Sequence, residues 1–163
     1  MKKILSLGLI LLLISCSKSF EEDFNNASKL LKENKIEEAI AEFDKIAQSN
    51  DEKYSPEALA QLASIYQGKL DKNLSAEESV KKSQFYFRTI YDKYPNNPLA
   101  PKALFMSAFI LANELNKYDE ATKEYNLFLE KFPDHELAAS AKQELDFIGL
   151  SPEEILKRKM ANQ

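Results

Sequence analysis

FRTIYDKYPNNPLAPKA, residues 87–103, and YNLFLEKFPDHELAASA, residues 125–141, are two versions of one pattern. At an offset of 38, Pro95 falls on Pro133, Tyr94 on Phe132 and Lys93 on Lys131. At the same offset Leu99, Ala100 and Ala103 fall on Leu137, Ala138 and Ala141. In each copy an aromatic residue and a proline stop one apolar-periodic stretch, and an alanine-bearing stretch begins the next. Proline disfavours the helical conformation in the residue before it and lacks the N–H a helix interior needs, so it closes a helix. A helix end and a helix start used twice indicate a repeat, whose units bury their apolar faces only by stacking on one another.

Outward from this pair, apolar residues recur at helical spacing along the chain and no strand alternation is found. The pattern predicts helices over 19–33, 36–49, 55–70, 76–94, 98–115, 118–132, 136–148 and 152–161. Start signals agree. Ser19-Phe20-Glu21-Glu22, Ser75-Ala76-Glu77-Glu78 and Ser151-Pro152-Glu153-Glu154 have the form of capping boxes. Ser55-Pro56 and Asn97-Pro98 read as a cap followed by a first-turn proline. Acidic pairs Glu37/Glu38, Asp119/Glu120 and Glu153/Glu154 sit where the helix dipole favours negative charge. Adjacent carboxylates on a helix do not face one another, so these read as caps rather than catalytic pairs. With 3 glycines and 6 prolines in 163 residues, an all-α fold is expected.

The 22 basic and 26 acidic residues are mixed in sign, with net charge −4, so a nucleic-acid partner is not expected. The N-terminus is a separate object. Met1-Lys2-Lys3 is followed over residues 4–14 by an apolar run interrupted only by Ser6 and Gly8. It is shorter than the ~20 residues of a membrane span and suits the apolar core of a secretory signal peptide. Leu13-Ile14-Ser15-Cys16 resembles the lipobox of bacterial lipoproteins, in which a diacylglycerol is attached to the cysteine sulfur. That resemblance implies a cleaved signal peptide over 1–15, a lipidated Cys16 with a short linker over 16–19, and membrane attachment through two or three acyl chains. Two or more chains anchor a protein stably. Ser17, where inner-membrane lipoproteins typically carry aspartate, points to the outer membrane.

The repeats resemble the tetratricopeptide repeat, a helix-turn-helix unit of about 34 residues. Ala27 and Leu30 with Ala39 and Phe43 match one unit; Leu62-Ala63 and Tyr66 with Phe87 and Pro95 match a second. Ala108 and Leu111 with Ala121, Tyr125 and Pro133 match a third. The match spans residues 20–148. It departs from the family pattern in about eight extra residues around 68–82, and in Asp51 where proline usually ends the unit. The resemblance implies a right-handed α-α superhelix of about three helix pairs plus C-terminal capping helices. The repeat domain is then 20–150, and 151–163 is a C-terminal helix or tail. Carrying over the family's groove positions gives Glu21, Phe24, Ser28 and Leu31 from the first unit. The second gives Glu57, Ala60, Ser64 and Gln67, and the third Lys102, Phe105, Phe109 and Ala112. Phe24, Phe105 and Phe109 are the candidate partner anchors, because aromatic rings in a groove commonly hold partners; the alternative is that some of them pack into the core or under the last helices.

Catalytic patterns are sparse. Cys16 is committed to lipid, and His135, the single histidine, is expected in a solvated turn. Two-histidine metal sites and glycine-rich phosphate loops cannot be built from these residues. Neither a cofactor nor a metal is expected. Residues 91–100, echoed at 129–138, look like the repeat ends of outer-membrane assembly lipoproteins of the barrel-assembly complex, and of the periplasmic coordinator of the Tol–Pal system. The implied function is a lipid-anchored periplasmic scaffold, not an enzyme, that binds an envelope protein or peptide segment. An envelope hydrolase and a surface ligand-capture lipoprotein are the alternatives from other classes.

Overall fold

In the computed structural model the described residues are 20–161. The signal segment, Cys16, its linker and the capping serine expected at Ser19 lie outside them. Eight helices follow in order: α1 Phe20–Lys32, α2 Ile36–Ala47, α3 Tyr54–Gln67, α4 Ala76–Lys93, α5 Ala100–Asn113, α6 Tyr118–Lys131, α7 Ala138–Phe147 and α8 Pro152–Ala161. The described residues contain no strand. Each helix from α1 to α7 packs on its neighbour in sequence, so α1/α2, α3/α4 and α5/α6 form pairs and α7 caps α6. The fold is an all-α stack of helix pairs.

Small residues set its spacing. Ala27, Ala63 and Ala108, one on the first helix of each pair, are all 0% exposed. Opposite them on the second helices stand Ala39, Ser83 and Ala121, also 0% exposed. The serine costs nothing there, because its hydroxyl donates to the Ala63 carbonyl at 2.9 Å. One apolar cluster runs from α1 to α5 and a second from α5 to α7. Helix α5 serves both: Ala103 and Ile110 belong to the first, and Leu104, Phe105, Ala108 and Leu111 to the second. A helix apolar on more than one side has to be sandwiched.

The 38-residue repeat of the sequence is a repeat of hydrogen bonds. Tyr94 and Phe132 end α4 and α6 with nearly the same backbone, φ −128° and ψ 55° against φ −134° and ψ 54°. The Asn97 N–H donates to the Tyr94 carbonyl at 2.9 Å, as the His135 N–H does to Phe132 at 3.2 Å. Asn97 Oδ1 accepts the Leu99 N–H at 2.9 Å, and His135 Nδ1 accepts the Leu137 N–H at 3.1 Å. Histidine and asparagine therefore do the same work in the two turns. His135 is not the solvated loop residue expected: it is half-buried, edge-on to Phe128 with ring centroids 5.7 Å apart.

Two expected caps are corrected. Asn97 and Pro98 lie in the turn, and α5 begins at Ala100. Helix α3 begins at Tyr54, before Ser55, and Asp51 Oδ1 receives the Lys53 and Tyr54 N–H groups at 3.0 and 2.7 Å. The Ser55 hydroxyl instead donates to the Ile46 carbonyl at 2.9 Å, tying α3 to α2. The capping boxes expected at Ser75 and Ser151 form. Ser75 N–H reaches Glu78 Oε2 at 2.9 Å and Ser151 N–H reaches Glu154 Oε2 at 2.8 Å. Helix α8 leaves Leu156 60% and Met160 67% exposed.

Because His135 acts as a turn acceptor, His135→Ala should cost about 1 kcal/mol of stability, the value typical of one lost acceptor bond. His135→Asn, which reproduces the Asn97 turn, should cost clearly less. Chemical denaturation of the two variants tests this; equal losses would show that only the contact with Phe128 matters.

Candidate partner-binding furrow

The positions named from the family groove lie on α1, α3 and α5, the first helices of the three pairs. They have three different fates. On α1, Glu21 is exposed and Ser28 half-buried, while Phe24 and Leu31 pack against the first apolar cluster. The Phe24 ring lies 5.4 Å from Phe43 and 6.0 Å from Tyr54. On α5, Phe105 is 8% exposed, with its ring 5.6 Å from Tyr125 and 5.9 Å from Phe128. Ala112 is buried, and Phe109 is half-buried against the second cluster. Phe24 and Phe105 are thus packing residues rather than exposed anchors. The two-sided burial of α5 turns the Phe105 face onto α6.

The third fate is the informative one. Ala60, Ser64 and Gln67 of α3 converge with Lys102 of α5 on a recess of about 330 Å³. Phe87 and Ile90 of α4 also line it, together with Leu99, Ala103 and Met106. Glu57 borders an adjoining recess of about 350 Å³, which also includes Leu99, Lys53 and Asn97. One furrow therefore follows α3 along its side toward α5.

Its origin is a substitution within the repeat. Ala60 stands three residues before the invariantly small Ala63, as Phe24 precedes Ala27 and Phe105 precedes Ala108. In the first and third pairs that ring lies on an aromatic of the second helix, Phe43 or Tyr125. In the middle pair the corresponding aromatic is Phe87, and a methyl group faces it. What is a filled contact in the outer pairs is an open recess in the middle one. Phe87, Ile90 and Met106 were absent from the expected site. The alanine at position 60, between two phenylalanines at equivalent positions, was the signal that marked them.

The rim is polar. Ser64 Oγ donates to the Ala60 carbonyl at 2.9 Å, leaving its lone pairs for an incoming donor. Lys102 is exposed and has no carboxylate within 4.0 Å among the described residues. The recess between α3 and α5 combines an apolar floor, one cation and hydrogen-bonding groups, the composition of a recognition surface, while Glu52, Lys53 and Glu57 line the adjoining one. No group of His, Cys, Asp and Glu that could hold a metal ion occurs among the described residues, and none of their helices is long and apolar enough to cross a membrane.

A separate polar cluster joins α4, α5 and α6. Glu124, 8% exposed, takes a hydrogen bond from Arg88 Nη1 at 3.1 Å. Arg88 Nε also holds Asp92 at 2.9 Å, and Gln84 Nε2 donates to the buried Ser107 hydroxyl at 3.0 Å. Burial pushes the Glu124 carboxyl up from its ordinary range, against the pull of the Arg88 guanidinium. A carboxyl raised in the folded state stabilises the fold at low pH, and that contribution fades as pH rises through the raised value. Glu124→Gln removes this dependence. Its melting temperature relative to the wild type should therefore climb as pH rises above the ordinary glutamate range; parallel profiles would show that the carboxyl titrates normally.

Compared with protein-family models and with curated proteins, the chain finds no match.

Proposed function

We propose that the chain is a lipid-anchored, tetratricopeptide-like scaffold that holds a segment of a partner protein in the α3/α5 furrow. Its place is the periplasmic face of a bacterial outer membrane, in the assembly of the envelope, and it acts by binding rather than by catalysis. The observation that carries this reading is the recess lined by Ala60, Ser64, Gln67 and Lys102, a preformed apolar site at the middle of a repeat stack. Repeat stacks commonly use such inner surfaces to hold extended segments or helices. Support for the anchor comes from the charged, apolar and small-residue order that ends at Cys16. Helix α1 begins at Phe20. A tether of four residues reaches at most about 14 Å, so the repeats stand directly at the membrane surface.

Two measurements test the reading. Photocrosslinking residues placed at Gln67 and Met106 in cells should capture an envelope protein. One placed at Phe85, which is 61% exposed on α4 and does not line the recess, should not. Equal capture from all three positions would contradict the furrow. Cys16→Ser should abolish acylation and release the protein from membranes. Unchanged fractionation would mean that residues 4–14 serve as an uncleaved anchor.

A further inference from the structure

We propose that the furrow selects a partner segment carrying an apolar anchor side chain with a carboxylate beside it, the carboxylate being held by Lys102. The inference rests on the reading of the furrow as the partner site and adds the chemistry of the occupant.

Size comes first. A recess of about 330 Å³ is at the small end of binding sites. It takes a large apolar side chain, not a cofactor. Along α3 the lining runs from Ala60 to Gln67, a helical length of about 10 Å. That matches roughly two turns of a partner helix, or three residues of an extended strand. Leu99 and Met106, both half-buried, give this occupant an apolar surface to cover, above the buried Phe87 and Ile90.

Charge decides the rest. Lys102 is the one charged residue lining the recess. Several other lysines of the stack are held by carboxylates: Lys81 holds Glu77 at 2.6 Å and Lys117 holds Glu120 at 2.9 Å. The protein as a whole is acidic, with net charge −4, so the positive charge at this rim is a local departure from the overall balance. Lys102 also stands in the first turn of α5, which has no acidic residue there. The positive end of the helix dipole and the ammonium group therefore add. A carboxylate brought in on an apolar anchor meets both while leaving part of its water behind, which strengthens the attraction. A lysine or arginine in the same place meets like charge and is rejected. Ser64 Oγ and the Gln67 amide are left to hydrogen-bond the backbone of the segment.

The test uses displayed random dodecapeptides selected on the full-length lipidated protein in detergent micelles. Enriched peptides should pair Leu, Phe or Met with Asp or Glu within one helical turn. A selected peptide resynthesised with Gln in place of the acid should bind at least about tenfold more weakly. Lys102→Glu should lose the acidic peptide to a similar degree and gain the version carrying Lys. Ser64→Trp, a substitution at an exposed rim position, blocks the recess without touching the core. Loss of binding in Ser64→Trp with none in Lys102→Glu overturns the carboxylate selection and leaves the furrow standing. Binding that ignores both variants, or no enrichment at all, overturns the furrow as well.

Discussion

An aromatic ring from the first helix of a pair, laid on an aromatic of the second, sets the packing of this stack. In the middle pair the equivalent position is Ala60, and α3 instead stacks Tyr66 on Tyr86 of α4, with ring centroids 5.6 Å apart. Phe24 on Phe43 and Phe105 on Tyr125 fill the outer pairs, while Ala60 leaves Phe87 and Ile90 facing a recess. The vacancy is held open because its walls cannot collapse. Helix α5 is fixed from both sides by two apolar clusters, and Ser83 ties α4 to α3 through the Ala63 carbonyl. Interiors packed to crystal density tolerate few such voids. A recess that opens to solvent between helices is a feature of the surface rather than a void of the interior.

The architecture was legible because the repeat is chemical as well as statistical. Pro95 and Pro133 mark helix ends, and the small residues at 27, 63 and 108 mark closest approach. Both follow from steric rules that act locally. Helix boundaries were legible to within a few residues. The misreadings at Ser55 and Asn97 share one cause: a cap and a turn acceptor use the same residue types. Asn97 bonds the N–H two residues on, so the helix starts later than a cap would place it. Equivalence with His135 was invisible, since nothing in the two residue types announces that Nδ1 and Oδ1 occupy the same point in a turn.

The site was legible in part, and the division is physical. Position on the first helices follows from spacing, so Ala60, Ser64, Gln67 and Lys102 were named and do converge. Which positions are open depends on what lies opposite. Spacing left the aromatic residues open to two roles, anchor or core, and a large ring beside a partner helix gains more by covering it. Phe24 and Phe105 do so, and the opening falls where the side chain is smallest. Phe87 and Ile90, buried at the base of the recess, could be recognised only by asking what lies opposite the alanine. Polar groups tell a similar story. Nothing in the sequence singles out Glu124, but its burial against Arg88 places it at a junction of three helices.

Equilibrium unfolding of Ala60→Phe tests the central claim most directly, because it restores the ring that the outer pairs possess. If Ala60 is the origin of the recess, the added ring lies on Phe87 and Ile90, and the unfolding midpoint equals or exceeds that of the wild type. If the site is already filled, the ring overpacks it and stability falls by about 1–3 kcal/mol. That loss would contradict the account.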